Sequence, residues 1–263
     1  MKTHIPTAER PVMTYTAAAM KGMGDRAYQE DTYVITERRD CGAMLAMVAD
    51  GMGGMQDGRL ASRTAVSAVK EAFRRMDMRD PIAPRLREAV VRANDLIYER
   101  LNADGGSTGI ACIFYDGGLY YAGVGDSFLL LRRGTTLYHL NRRQNMYYAM
   151  CMQQLIDGMT DRTFAERHPE RHALTGYLGM KELRDVDMFL RPMPLSHGDT
   201  VMLCSDGIGD VLSDSVISAC MGAATPEESC RRIEERVLAA AQRHQDNYTA
   251  VVIRITESTE GER

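Results

Sequence analysis

The chain has 263 residues, of which 44% are hydrophobic and 26% charged, and its net charge at pH 7 is −4. This length fits one large globular domain or two small ones with a substantial core. The slightly acidic balance argues against a nucleic-acid partner and against an anionic membrane surface, and no apolar run reaches the ~18 residues of a membrane span.

The six cysteines form no CxxC pair, which argues against a thiolate zinc site. Several of them lie inside apolar runs, as in IACIF and VMLCSD, and are typical of buried, reduced thiols in a cytoplasmic protein. Residues 1–13 and 257–263 are polar and predict tails, so we expect a single domain over 14–256.

Strands are predicted at 32–36 and 43–49, joined by the short segment ERRDCG as in a hairpin. Asp31 precedes the first strand and Asp50 follows the second. In an antiparallel pair these two positions lie side by side at one end of the strands.

Apolar residues then recur at helical spacing in 59–76 and in 84–102, and both stripes should pack on a sheet. A run of strands follows, in which the turn at 116–118 is a hairpin signal and Asp126 comes directly after an apolar strand. Segment 141–182 breaks this pattern. Within it, 146–159 could form an amphipathic helix, either packed or exposed as a partner surface.

The C-terminal part resumes with a strand near 186–190 and with TVMLCSDG, where Asp206 again follows an apolar strand. Thr225 begins a capping box that starts a helix, and Asp246 precedes a closing strand. Runs of strands separated from runs of helices are typical of antiparallel sheets with helices outside them, rather than of a parallel sheet.

Acidic residues therefore recur at strand ends and strand starts, which alternate along one edge of an antiparallel sheet. The residues concerned are Asp31, Asp50, Asp126, Asp206 and Asp246, with Glu30 and Asp210 close to two of them in sequence. Clustered carboxylates oppose one another's ionisation unless a cation neutralises them, and hard oxygen ligands favour Mg²⁺ or Mn²⁺. An isolated Asp-Gly is an ordinary turn, but the joint pattern predicts a metal site that could activate a water for attack on phosphorus.

Seven stretches together give the sequence a resemblance to the metal-dependent protein phosphatases, the type 2C serine/threonine phosphatases, in their bacterial form with a single catalytic domain. In chain order they are GDRAYQED (24–31), VADGMGGMQDGRLAS (48–62), STG (107–109), AGVGDS (122–127), LTGYLG (174–179), LCSDGIGDVLSD (203–214) and QDNYTAVVI (245–253). The resemblance implies an α+β fold, a four-layer α-β-β-α sandwich of two antiparallel sheets flanked by helices.

The resemblance also implies two Mg²⁺ or Mn²⁺ ions per active site. Asp50 would bridge them, the Gly51 carbonyl would bind one, and Asp206 and Asp246 would complete the other. Glu30 and Asp31 would act mainly through metal-bound waters. A weaker third ion would lie at Asp126 with Asp206 or Asp210.

Arg26 would bind the substrate phosphate, because a guanidinium fits a phosphate bidentately, and Asn247 would help to fix Asp246. The implied reaction is hydrolysis of phosphoserine and phosphothreonine in proteins by a hydroxide bridging two ions, counteracting a serine/threonine kinase. Two alternatives stay open: a binding or sensor module with the same fold, and a phosphomonoesterase for small metabolites.

The sequence departs from the family pattern at three places. Gln29 stands where the family usually has asparagine, and Phe128 where an arginine is common. The family's later Asp-His pair has no counterpart in YHLNRRQNMYYAM. Segment 141–182 corresponds to the family's variable flap beside the active site.

Overall fold

The computed structural model describes residues 12–53, 57–102, 104–240 and 243–258. Its first half contains mostly long strands and two long helices. In chain order these are β1 (Met13–Gly22), β2 (Thr32–Arg38), β3 (Ala43–Ala49), β4 (Gly51–Met52), α1 (Asp57–Arg75), α2 (Ile82–Leu101), β5 (Gly106–Ser107), β6 (Gly109–Tyr115) and β7 (Gly118–Val124).

The second half begins with two more strands, passes through the flap, and ends with helices and a long strand. Its elements are β8 (Phe128–Arg133), β9 (Thr136–His139), α3 (Met146–Ile156), α4 (Thr163–Arg167), β10 (Asp187–Met188), β11 (Met193–Pro194), β12 (Thr200–Cys204), α5 (Asp206–Gly209), α6 (Asp214–Met221), α7 (Pro226–Ala239) and β13 (Tyr248–Glu257).

These strands form two main antiparallel sheets. Sheet A has the order β1-β13-β12-β8-β9, and sheet B has the order β10-β7-β6-β3-β2, with β11 also paired to β7. Strands β4 and β5 form a separate two-stranded sheet. The predicted hairpin is present, with Thr32 opposite Ala49 in the β2-β3 register.

Three apolar clusters hold four layers together. One lies between the sheets and includes Leu129, Leu203 and Val251. A second joins sheet B to α1 and α2, and a third joins sheet A to α6 and α7. The predicted α+β sandwich with helices on both outer faces is confirmed.

The predicted helices are present with bounds shifted by up to three residues. The helix predicted to begin at Thr225 starts as expected: the Thr225 Oγ1 accepts a hydrogen bond from the Glu228 amide at 3.2 Å, and Pro226 occupies the first turn. Thr225 therefore caps the helix as predicted, while the Glu228 carboxylate accepts from Arg231 and Arg232 instead of closing the box.

Strand β1 was not predicted, although it pairs with β13 over ten residues, from Met13 opposite Glu257 to Gly22 opposite Tyr248. Its run of alanines has low strand propensity, so the pairing partner decides its conformation. The strand pair extends one residue beyond each end of the predicted domain. The remainder of the predicted tails, 1–11 and 259–263, lies outside the described residues.

All six cysteines are free thiols, and Cys112, Cys204, Cys220 and Cys230 are buried, as the sequence predicted. In the described ranges, no helix is both long and apolar enough to cross a bilayer.

Candidate metal centre

The ends of four strands bring the predicted acidic residues to one edge of the sandwich. Asp31 and Asp50 flank the paired residues Thr32 and Ala49 in sheet B. In sheet A, β12 and β13 are antiparallel, so Asp206 after one strand lies near Asp246 before the other. We call Glu30, Asp31, Asp50, Asp206 and Asp246 the acidic rim.

A cavity of about 460 Å³ opens at this edge. Seven of the predicted site residues line it: Arg26, Glu30, Asp50, Gly51, Asp126, Asp206 and Asp246. The other two do not. Asp31 is buried, with 2% of its surface exposed, and Asp210 lines a neighbouring depression with Arg143 and His172.

Hydrogen bonds to its backbone amide and to its backbone carbonyl fix the position of Asp50. Its amide donates to the Thr108 hydroxyl at 3.0 Å, and its carbonyl accepts from the Thr108 amide at 2.8 Å and the Ser107 hydroxyl at 2.9 Å. The next residue must be glycine, because a Cβ at Gly51 would lie 2.1 Å from the Gly58 carbonyl oxygen. This close approach leaves the Asp50 side chain at a fixed place on the cavity wall.

Asn247 organises the loop that carries Arg26 and Glu30. Its Oδ1 accepts from the Glu30 amide at 2.8 Å, and its Nδ2 donates to the carbonyls of Met23 at 2.8 Å and Tyr28 at 3.1 Å. The Asn247 backbone amide donates to the Asp246 carboxylate at 2.7 Å, a contact that does not depend on its side chain. The side-chain amide of Asn247 therefore fixes the chain between Met23 and Glu30 on the rim side of the cavity.

The Gln29 side chain also connects two separate parts of the backbone beside the acidic rim. Its Oε1 accepts from the Asp31 amide at 2.9 Å while its Nε2 donates to the Gly22 carbonyl at 2.8 Å. The Asp31 carboxylate accepts from the Ser205 hydroxyl at 2.9 Å. The departure at Gln29 therefore leaves the acidic rim supported.

Burial and mutual repulsion act strongly on these carboxylates. Burial, followed by the charges of Asp31 and Asp206, raises the pKa of Asp50 well above its usual value. Burial, followed by the charge of Asp126, raises the pKa of Asp206 to about 7. Keeping these carboxylates ionised together lowers the stability of the folded protein unless a cation neutralises them.

Three of the buried rim oxygens have no hydrogen-bond partner: Glu30 Oε1, Asp31 Oδ1 and Asp206 Oδ1. Buried polar atoms are normally satisfied, so oxygens left over at one site indicate a ligand that would contact them. Hard carboxylate oxygens without histidine or cysteine fit Mg²⁺ or Mn²⁺. The residues present therefore fit the ions that the sequence predicted.

As the side chains stand, the described part of the chain contains no group of three or more acidic, histidine or cysteine residues arranged to hold an ion. One reason is that arginine side chains already pair with several of these carboxylates. Arg26 contacts the Asp246 carboxylate at 2.5 Å, and Arg143 contacts the carboxylates of Asp126 and Asp210 at 3.4 Å and 2.9 Å. Arg26 therefore competes with an ion for the Asp246 carboxylate.

The flap supplies lining residues that the sequence reasoning missed. His172, Ala173, Leu174 and Tyr177 complete the cavity wall opposite the acidic rim. They lie in an irregular segment with no periodic signal, and only LTGYLG at 174–179 pointed to this position. Helix α3 is present as predicted, but none of its side chains is buried.

Comparison with known proteins supports the same class. A serine/threonine phosphatase stp from Listeria welshimeri is 28% identical over 198 residues, covering 72% of this chain and 76% of the relative. The serine/threonine protein phosphatase PstP of Mycobacterium tuberculosis is 29% identical over 264 residues, which cover 95% of this chain and 46% of the relative. This chain thus spans about half of PstP.

Solved structures define the fold class as that of bacterial serine/threonine phosphatases. The crystal structure of the Mycobacterium tuberculosis phosphatase PstP/Ppp has a TM-score of 0.78 and 26% identity, covering 93% of this chain and 99% of that chain. The PstP catalytic domain in complex with two manganese ions has a TM-score of 0.75 and 26% identity, covering 94% and 100%.

The family described as protein phosphatase 2C matches residues 24–243. The chain belongs to this family. The predicted enzyme class, a metal-dependent serine/threonine protein phosphatase, and the predicted use of Mg²⁺ or Mn²⁺ are confirmed at this level.

Proposed function

We propose that this chain hydrolyses phosphoserine and phosphothreonine in protein substrates at the acidic rim. The observation that carries the proposal is the set of three buried carboxylate oxygens without hydrogen-bond partners at one cavity edge. Two divalent ions would be held by Asp50, the Gly51 carbonyl, Asp206 and Asp246, with Glu30 and Asp31 acting mainly through water. When bound, the ions polarise the phosphoryl group and lower the pKa of an attacking water.

Arg26 is the residue that we assign to the substrate phosphate. Its side chain is 55% exposed at the cavity wall, and its guanidinium already contacts the Asp246 carboxylate. A guanidinium can donate two parallel hydrogen bonds to phosphate oxygens and neutralise charge that develops there. Arg26 would thus change partner from Asp246 to the phosphate when ions take the carboxylate.

Asn247 and Thr108 act as positioning residues. Asn247 connects the Glu30 amide to the Met23 and Tyr28 carbonyls, and Thr108 connects to Asp50 through two hydrogen bonds. Catalysis of phosphoryl transfer depends mainly on positioning and electrostatics, because the protein forms no covalent bond to the substrate. These contacts fix the acids before the substrate arrives.

The natural partner of such an enzyme is a phosphorylated protein, and we propose that it counteracts a serine/threonine kinase. The six free thiols suit the reducing cytoplasm, where we place the enzyme. The cavity is flanked by the flap residues Leu174 and Tyr177, which a peptide entering it would contact.

The test is phosphate release from a phosphothreonine peptide with Mn²⁺, with EDTA, and in Asp50→Asn. We expect Mn²⁺-dependent turnover that falls by about 10³-fold in the variant, the loss typical of removing one main stabilising group from an active site. Asp95→Asn, an exposed carboxylate on α2, is the matched control and should retain full activity.

Other outcomes separate the alternatives. Turnover of small phosphate esters but not of the phosphopeptide would favour a metabolite phosphomonoesterase. Mn²⁺ binding by calorimetry without any turnover would favour a binding module. Full activity in EDTA would contradict the metal centre itself.

A further inference from the structure

Arg143 lies between two of the acids for which a third ion was predicted. Its Nη1 and Nη2 donate to the two carboxylate oxygens of Asp210 at 2.9 Å and 3.1 Å. Its Nη2 also lies 3.4 Å from Asp126 Oδ2, and its Nε donates to the Asp126 carbonyl at 2.8 Å. One guanidinium therefore bridges both residues, and its contact with Asp210 is bidentate.

The guanidinium is fixed from its other face as well. It stacks over the Phe128 ring, with its central carbon 4.1 Å from the ring centroid, and Phe128 itself is buried. Only 19% of the Arg143 side chain is exposed. A partly desolvated cation that is stacked on an aromatic ring and paired to a carboxylate is difficult to displace.

The two residues after Arg143 hold the same loop. Gln144 Oε1 accepts from the Gly125 amide at 2.9 Å, and Asn145 Nδ2 donates to Asp126 Oδ2 at 3.1 Å while its Oδ1 caps helix α3. The backbone that carries Arg143 is thus anchored independently of the arginine side chain.

The acids at this edge divide into two groups. Asp206 Oδ1 has no partner and belongs to the acidic rim, whereas both Asp210 oxygens and Asp126 Oδ2 have donors. A divalent ion at Asp126 and Asp210 would have to displace the guanidinium and would be repelled by it. Of the two ligand pairs that the sequence analysis expected for a third ion, Asp126 with Asp210 therefore does not fit it, whereas Asp126 with Asp206 is not blocked by the arginine in this way.

We propose that Arg143 is a built-in cation that takes the place of a third metal ion between Asp126 and Asp210. The proposal rests on the proposed function, because it assumes that the acidic rim holds the other two. Arg143 is a positioning residue: it fixes Asp126 and the start of the flap beside the cavity and does not contact the reacting atoms.

The test counts and locates Mn²⁺ in crystals by anomalous scattering. We expect no ion between Asp126 and Asp210 in the wild type or in Arg142→Ala, whose exposed arginine pairs with Asp185 outside the site. In Arg143→Ala we expect an additional ion between Asp126 and Asp210, which is lost in Arg143→Ala combined with Asp210→Asn. No ion at this position in Arg143→Ala would overturn the proposal.

The wild-type map is decisive even if the alanine variant does not crystallise. A third ion at Asp126 and Asp210, with Arg143 turned away, would overturn the proposal. If the rim holds no ions, the proposed function fails, whereas occupancy at Asp126 and Asp210 still reports on Arg143.

A second measurement uses thermal unfolding in solution. In EDTA, Arg143→Ala should melt below the wild type, because the buried carboxylate of Asp126 and the partly exposed carboxylate of Asp210 lose their counter-charge. Adding Mn²⁺ should raise the melting temperature more in Arg143→Ala than in the wild type or in Arg143→Lys, which keeps a cation. Equal gains in the three proteins would show that the arginine is structural only.

Discussion

The acidic rim and the flap form opposite walls of one cavity, and they are built differently. Each rim residue lies within two residues of the end of a strand, so the register of two sheets fixes its place. The flap contains two short helices and irregular chain, and it is attached by isolated contacts: side chains such as Asn94 and Arg143, and a pair of backbone hydrogen bonds between Ser107 and Leu178. We therefore expect the rim to respond to backbone changes and the flap to respond to loss of single contacts.

The largest combined effect on stability and activity is expected for Gly51→Ala. The added methyl would lie 2.1 Å from the Gly58 carbonyl and 2.8 Å from the Glu30 carbonyl, both backbone atoms, so α1 or the Glu30 loop must move. We expect a loss of about 3 kcal/mol in the free energy of unfolding, together with loss of phosphatase activity. Denaturant titration and peptide hydrolysis measure the two effects.

Gly134→Ala is the control for this change, because nothing lies within 4 Å of its added methyl and only its φ of +60° opposes alanine. Gly134→Ala should lower the free energy of unfolding by about 1 kcal/mol and should retain activity. Equal losses in the two variants would mean that backbone crowding at Gly51 is unimportant.

Asn247→Ala and Asn94→Ala form a matched pair across the cavity. Asn247 bonds three backbone groups of the rim loop, and Asn94 bonds three backbone groups at Gly179 and Met180 of the flap. Both are buried, and each substitution should cost about 2–3 kcal/mol of stability through unpaired partners.

Their activities should differ. Asn247→Ala should lower kcat/KM for a small phosphate ester by about 10–100-fold, the usual cost of losing a residue that orients metal ligands. Asn94→Ala should leave that value within about twofold, since no rim residue depends on it. Similar losses for the two variants would contradict the division between rim and flap.

Asp50→Asn should stabilise the metal-free protein while abolishing activity. Burial and neighbouring charges raise the pKa of Asp50 in the folded state, so its ionised form lowers stability at neutral pH. In EDTA at pH 7 we expect a gain of about 1–2 kcal/mol, or about 2–4 °C in Tm.

The sign of this effect follows from linkage. A raised carboxyl pKa costs stability above the unfolded-state pKa, and the cost disappears as the pH falls and the group is protonated in both states. The advantage of Asp50→Asn should therefore shrink on acidification. If Asp50→Asn were less stable than the wild type in EDTA at neutral pH, this account would be refuted. The control Asp95→Asn should leave the stability unchanged.

The smallest effect is expected on the exposed face of the flap. Ile156 is 75% exposed at the end of α3, and Phe164 is 62% exposed nearby in sequence. Ile156→Ser should change the free energy of unfolding by no more than about 0.5 kcal/mol. Ile97→Ser in the core on α2 should cost well over 3 kcal/mol by comparison, because its side chain is fully buried. A loss above about 1 kcal/mol for Ile156→Ser would show that this face is packed.

Local patterns were sufficient for much of the sandwich. Continuous apolar strands, the stripes of α1 and α2 and the Thr225 helix cap each carry their signal within a few residues, and all were found in the structure. Strand β1 was missed because its alanine-rich sequence has no local preference. It is a strand because β13 offers a ten-residue edge for it to pair with.

In the candidate site, too, local patterns predicted some features and the tertiary structure decided the others. Sequence alone placed acids at strand ends, because strand boundaries and residue type are local properties. Only tertiary structure decided which acids share a cavity, since Asp126, Asp210 and Arg143 come from separate loops. The guanidinium of Arg143 pairs with Asp210, 67 residues away in sequence, through contacts that no local pattern encodes. Long-range side-chain geometry, rather than propensity, determines how charge is balanced at this edge.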